Sequence, residues 1–153
     1  MKYESLLEEA YNNDIYVVEN ANFISKSDGL INGSVIGINR NVRSSRKRAC
    51  VLAEELGHYH TTSGDIIPFS IDNQKQELRA RAWAYDRMVG LLGIVRCYQS
   101  CCRNRYEMAE LLDVTEDFLQ EALDYYSGKY GEYAVVDNYV IYFQPTLTVL
   151  ELI

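Results

Sequence analysis

Cys50-Val51-Leu52-Ala53-Glu54-Glu55-Leu56-Gly57-His58-Tyr59 is the stretch that decides the fold. On a helix turning about 100° per residue, Ala49, Leu52, Ala53 and Leu56 form one apolar stripe. Val51, Glu54, Glu55 and His58 fall on the other side. Glu54 precedes His58 by one long turn and Glu55 by one short one, so both carboxylates reach the space beside the imidazole. His60 projects to the Leu52/Leu56 side and is expected to stay off any site built on His58. Ser44 or Ser45 is the expected N-cap. The helix is predicted to run to about residue 61, where Ser63-Gly64-Asp65 and then Pro68 break it. Spacing alone leaves two readings open: a solvated face with two acids and a histidine, or a site.

A second helical pattern runs from about Asn73 to Cys97, with Glu77, Ala80, Ala84, Met88, Leu91 and Val95 on one face. Glu77 stands at the head of an apolar stripe, where a carboxylate needs a partner, a hydrogen bond or a metal. The alternative is that it simply favours the positive end of its helix. Ala80 and Ala84 are small enough to let another helix approach closely.

Around these two helices the pattern predicts a helix over 3–12, a strand over 15–19 and a turn at Asp28-Gly29. Residues 30–39 read as a strand pair or one interrupted strand. Shorter helices follow over 106–112 and 115–126, the second capped by Thr115 and stopped by Gly128 or Gly131. Residues 133–143 read as a hairpin turning at Asp137-Asn138. This is an α+β pattern, helix-rich, with a small β-sheet and a C-terminal hairpin. With no repeat and no linker, residues 1–153 read as a single domain.

Fifteen Lys and Arg against twenty-two Asp and Glu give a net charge of −7, which disfavours general binding to nucleic acid or to anionic membranes. No apolar run reaches membrane-spanning length, and the N-terminus carries acids where a signal peptide has bases, so a cytoplasmic protein is expected. Cys50, Cys97, Cys101 and Cys102 form no C-x-x-C pair and read as buried or half-buried free thiols. The basic run Arg40, Arg43, Arg46, Lys47 and Arg48 reads as a solvated helix start.

The stretch Cys50 to Tyr59, followed by Gly64-Asp65-Ile66, resembles the metal-binding helix of the ImmA/IrrE family of bacterial and phage metallopeptidases. Glu77-Leu78-Arg79-Ala80-Arg81-Ala82-Trp83-Ala84 is similar to the family's second motif, Glu-x-x-Ala-x-x-aromatic-Ala. Ala109 to Thr115 is similar to the short helix pair that follows in family members, so the likeness runs from about Leu30 to Phe143. The resemblance implies a zincin-like core and a zinc-dependent endopeptidase whose usual substrate is a helix-turn-helix repressor of a prophage or mobile element. It implies Glu55 as general base, and His58 and Glu77 as metal ligands. The first ligand of H-E-x-x-H is replaced by Glu54, which can also ligate zinc through oxygen. With two carboxylates the site suits harder ions such as Mn²⁺ or Mg²⁺ better, so zinc is the implied ion and Mn²⁺ or another divalent ion the alternative. Asp65 is a further candidate for the shell.

Two other readings stand beside this one. A metallopeptidase-like fold without catalysis would act as a protein-binding regulator. A DNA-binding regulator is disfavoured because Glu116, Asp117, Glu121 and Asp124 occupy the second helix of the 106–126 pair, which carries no Lys or Arg up to residue 126.

Overall fold

A computed structural model describes residues 1–62 and 71–153, apart from the side chains of residues 71 and 72. The predicted helix break at Ser63-Gly64-Asp65, the candidate ligand Asp65 and Pro68 lie outside the described residues. The architecture is α+β, with helices and two small sheets. Two compact units divide the chain, Met1–Ala84 and Tyr85–Ile153.

The first unit contains α1 (Lys2–Asn12), β1 (Tyr16–Ala21), β2 (Gly29–Asn32), β3 (Val35–Asn39), α2 (Ser45–Thr61) and the N-terminal part of α3 (Ile71–Met88). Residues 30–39 are a strand pair: β2 and β3 run antiparallel across the two-residue turn Gly33-Ser34. Gly33 takes a φ of 60°, which suits glycine in such a turn. β1 lies parallel to β3 on its other side, giving the order β1-β3-β2, with β2 at an edge. α2 packs on β2 and β3. Leu6, Ile36, Ile38, Leu52 and Leu56 are fully buried in this unit, each contributing roughly 1.5–3 kcal/mol. Ser44 is the N-cap of α2, its hydroxyl accepting from the Lys47 N–H at 3.3 Å.

Arg48 of the basic run is half-buried and bonded rather than fully solvated. The Arg48 guanidinium donates to the Val42 carbonyl at 2.9 Å, to the Tyr3 hydroxyl at 3.2 Å and to the Glu19 carbonyl. It also lies over the Tyr3 ring, 5.3 Å from its centroid. A planar fork of five donors can satisfy several acceptors at once, so Arg48 ties α1, β1 and α2 together.

The second unit holds the end of α3, then α4 (Gly90–Gln99), α5 (Arg105–Leu112), α6 (Glu116–Tyr130), β4 (Tyr133–Val136), β5 (Tyr139–Tyr142) and β6 (Thr148–Glu151). The predicted single helix over 73–97 is therefore two helices. The chain breaks at Val89-Gly90, where Gly90 adopts a φ of 66°. The Gly90 N–H donates to the Tyr126 hydroxyl at 3.1 Å, and that hydroxyl donates to Asp86 Oδ1 at 2.9 Å. Met88 and Val95 are buried on either side of the break, so the apolar spacing conceals it. α6 is capped by Thr115 and ends at Gly131. The hairpin of β4 and β5 turns at Asp137-Asn138 as expected, but β6 adds a third, antiparallel strand that the pattern does not reveal. Four mostly exposed residues give little alternation to read.

None of the four cysteines is in a disulfide: Cys50 and Cys97 are buried, Cys102 is half-buried, and Cys101 is exposed, contrary to expectation. Among the described residues, no helix is long and apolar enough to cross a membrane.

Candidate active site

Two close backbone approaches, both at glycines, build the site. Gly57 lies in α2 against α3, where a Cβ would stand 2.2 Å from the Ala80 carbonyl oxygen. Only a residue without a Cβ allows that approach. His58 follows Gly57, and Glu77 precedes Ala80 by about one turn. The two side chains meet, with His58 Nε2 3.0 Å from Glu77 Oε2. At the second approach, a Cβ on Gly29 would lie 2.6 Å from Val51 Cγ1 and 3.1 Å from Glu55 Oε1. Edge strand β2 thus runs directly against the Glu55 side chain. Gly29 opens that strand, which corrects its reading as part of a turn.

Asp28, Gly29, Glu54, Glu55, His58 and Glu77 line one groove of about 410 Å³. A neighbouring recess of about 320 Å³ shares Ile31 and His58 and continues past Gly33 to Thr62. The site-forming face of α2 is therefore the wall of a groove. Of the side chains in contact, 22% of His58 and 44% of Glu77 remain exposed.

The groove concentrates negative charge. Burial, and then the neighbouring Glu54 and Glu77, push the Glu55 carboxyl from its ordinary 4.5 up to about 7. Arg81 Nε lies 3.2 Å from Glu77 Oε1, one helical turn away. His60 points elsewhere: it stacks on Trp83 with ring centroids 4.8 Å apart, and its Nε2 lies 3.8 Å from Glu9 Oε1.

Of the residues singled out in the sequence, His58 and Glu77 are in contact, and Glu54 and Glu55 line the same groove. Asp28, Gly29 and Gly57 were not read as parts of a site. Gly57 carries a weak signal, because a glycine inside a helix is disfavoured by about 1 kcal/mol, yet Gly128 inside α6 has open space where its Cβ would stand, so a helical glycine does not by itself mark a close approach. Asp28 and Gly29 carry none, since their place depends on strand pairing.

Residues 8–130 match the peptidase M78 family, the IrrE N-terminal-like domain. The chain belongs to this family. No curated protein and no solved structure matches it. Membership in a metallopeptidase family implies a divalent metal, and the groove can be tested for it. Two ligands held tetrahedrally at 2.0–2.1 Å from one ion stand roughly 3.3 Å apart. His58 Nε2 and Glu77 Oε2, at 3.0 Å, are close to that spacing. Glu55, raised first by burial and then by the charges of Glu54 and Glu77, sits in an environment that a cation would relieve. In donor type and in this spacing the residues fit a divalent cation. Among the described residues, no three His, Cys, Asp or Glu side chains form a ready-made metal cluster.

Proposed function

We propose that this chain is a divalent-metal-dependent endopeptidase, with zinc as the usual ion and manganese as an alternative. His58, Glu77 and Glu54 would hold the metal. The single observation that carries the reading is the His58–Glu77 contact at 3.0 Å on the wall of a groove that also contains Glu55. Bound there, a divalent ion would supply Lewis-acid polarisation of the scissile carbonyl and a lower pKa for attacking water. Glu55 would take the proton from that water on a carboxylate oxygen and pass it to the leaving amide nitrogen. An extended substrate segment would pair with the outer edge of β2, which has no strand partner among the described residues. Along that edge it would pass over Glu55 and His58.

On the family resemblance, the substrate is a helix-turn-helix repressor of a prophage or mobile element, met in the cytoplasm without direct contact to nucleic acid. The test uses protein purified without chelator. Its metal content is measured, and cleavage of a helix-turn-helix repressor is followed in the natural chain and in Glu55→Gln. One divalent ion per chain in both proteins is expected, with cleavage lowered by at least about 100-fold in the variant.

A second reading is favoured by Glu54 in a histidine position and by the lack of a preformed three-ligand cluster among the described residues. In it the chain is a catalytically inactive regulator that binds the repressor without cutting it. Repressor binding with no cleavage under any metal condition would select this reading.

A further inference from the structure

The C-terminus of α4 is closed by a cysteine-rich cap. The Cys101 N–H donates to the Tyr98 carbonyl at 3.0 Å, and the Cys102 N–H donates to the Cys97 carbonyl at 3.0 Å. Cys101 itself takes a left-handed φ of 59°. These are the two bonds and the backbone conformation of a Schellman cap, which also brings the side chain just beyond the cap against one in the last helical turn. Here both of those side chains are thiols. Cys102 is close enough to Cys97 to raise its thiol. Cys101 projects into solvent instead.

The pair is also reachable. Cys97 and Cys102 both line a cavity of about 240 Å³, together with Arg103, Arg105 and Met108. A reagent little larger than water fits a space of that size.

We propose that Cys97 and Cys102 are an oxidisable dithiol, closed to a disulfide by a peroxide. Cys102, half-buried, meets the oxidant first: its sulfur takes one peroxide oxygen, giving a sulfenic acid and releasing water. The Cys97 sulfur then attacks that sulfur, loses its proton, and a second water leaves as the S–S bond forms. Two thiols are oxidised by two electrons, and one hydrogen peroxide is reduced to two waters. Burial, and then the neighbouring Cys102, push the Cys97 thiol up to about 12, which argues against Cys97 as the first site of oxidation. The hydrogen-bonded backbone of the cap holds the two residues together. Closure would lock the end of α4 and reshape the cavity wall. None of this depends on the groove or its metal.

The test treats the native, full-length protein with hydrogen peroxide and then alkylates the remaining thiols in denaturant. Tryptic cleavage at Arg96 and Arg103 isolates one peptide carrying all three cysteines of the cap. The expected peptide is lighter by two hydrogens and alkylated only at Cys101. Cys101→Ser should close at the natural rate within about twofold, and Cys102→Ser should slow the loss of two hydrogens by at least about tenfold. Alkylation of both Cys97 and Cys102 after peroxide treatment would overturn the proposal. So would closure of Cys102→Ser at the natural rate, or an oxidised product confined to Cys101 as a dimer or a sulfinic acid. Cys102 and Cys101 are chosen for substitution because neither lies in the core, so both variants are expected to fold.

Discussion

Gly57 of α2 and Ala80 of α3 meet so closely that no side chain at position 57 can fit: a Cβ would lie 2.2 Å from the Ala80 carbonyl oxygen. This contact sets the separation of the two helices at the level where His58 and Glu77 project. The first prediction follows from it. In an open helix, glycine to alanine stabilises by up to about 1 kcal/mol. Here Gly57→Ala should instead destabilise by about 2–4 kcal/mol, because backbone on the partner helix must move. Denaturant titration of the two proteins measures the difference. A neutral or stabilising result would mean that α2 and α3 do not cross at this contact.

Protein stripped of divalent ions should show a Glu55-dependent fall in stability with rising pH. The carboxyl titrates near 4.5 in an ordinary setting and near 7 in the groove. The folded state therefore holds the proton more tightly than the unfolded state. That contribution is fully present below about pH 4.5 and is lost as the pH climbs through 7. Allowing for partial solvent screening, its size is on the order of 1–3 kcal/mol. Glu55→Gln carries no titrating group and should lose this part of the slope. Urea titrations at pH 5 and pH 8 in chelator compare the proteins; parallel behaviour of the two would refute the assignment.

Glu54→His rebuilds a full H-E-x-x-H motif with Glu55 and His58 already in place. Two carboxylates and one imidazole cancel the charge of a dication, whereas one carboxylate and two imidazoles leave it positive. Zinc affinity should rise at least about tenfold, and any cleavage should quicken with it. Zinc titration of both proteins checks this. Tighter binding by the natural chain would show that the carboxylate at 54 is the better ligand in this groove.

His60→Ala should leave divalent-metal affinity within about twofold of the natural chain, since its ring stacks on Trp83 rather than facing the groove. Removing that stack should lower stability by about 1 kcal/mol. Isothermal titration with zinc and thermal melting separate the two effects. Loss of metal binding in this variant would place His60 in the ligand shell.

The identity and order of the main helices were legible in the sequence because each carries its own periodicity and punctuation. Ala49, Leu52, Ala53 and Leu56 mark the buried stripe of α2, and Ser44 and Thr115 act as the caps their side chains suggest. The same wheel arithmetic put Glu54, Glu55 and His58 on one face and His60 on another, and local geometry alone is enough for that. What periodicity could not show was the break at Gly90, because Met88 and Val95 keep the apolar register on both sides of it. Nor could it show β6, which exists only by pairing with β5.

The site itself divides in the same way. Which side chains of α2 lie together follows from the helix, whose hydrogen bonds are local. That Glu77 comes within 3.0 Å of His58, and that β2 lies on Glu55, was decided by tertiary structure. Both depend on contacts between segments distant in the chain, made at Gly57 and Gly29 through the absence of a side chain. A missing Cβ has no hydropathy and no charge to read, so its effect becomes visible only once the partner backbone is in place.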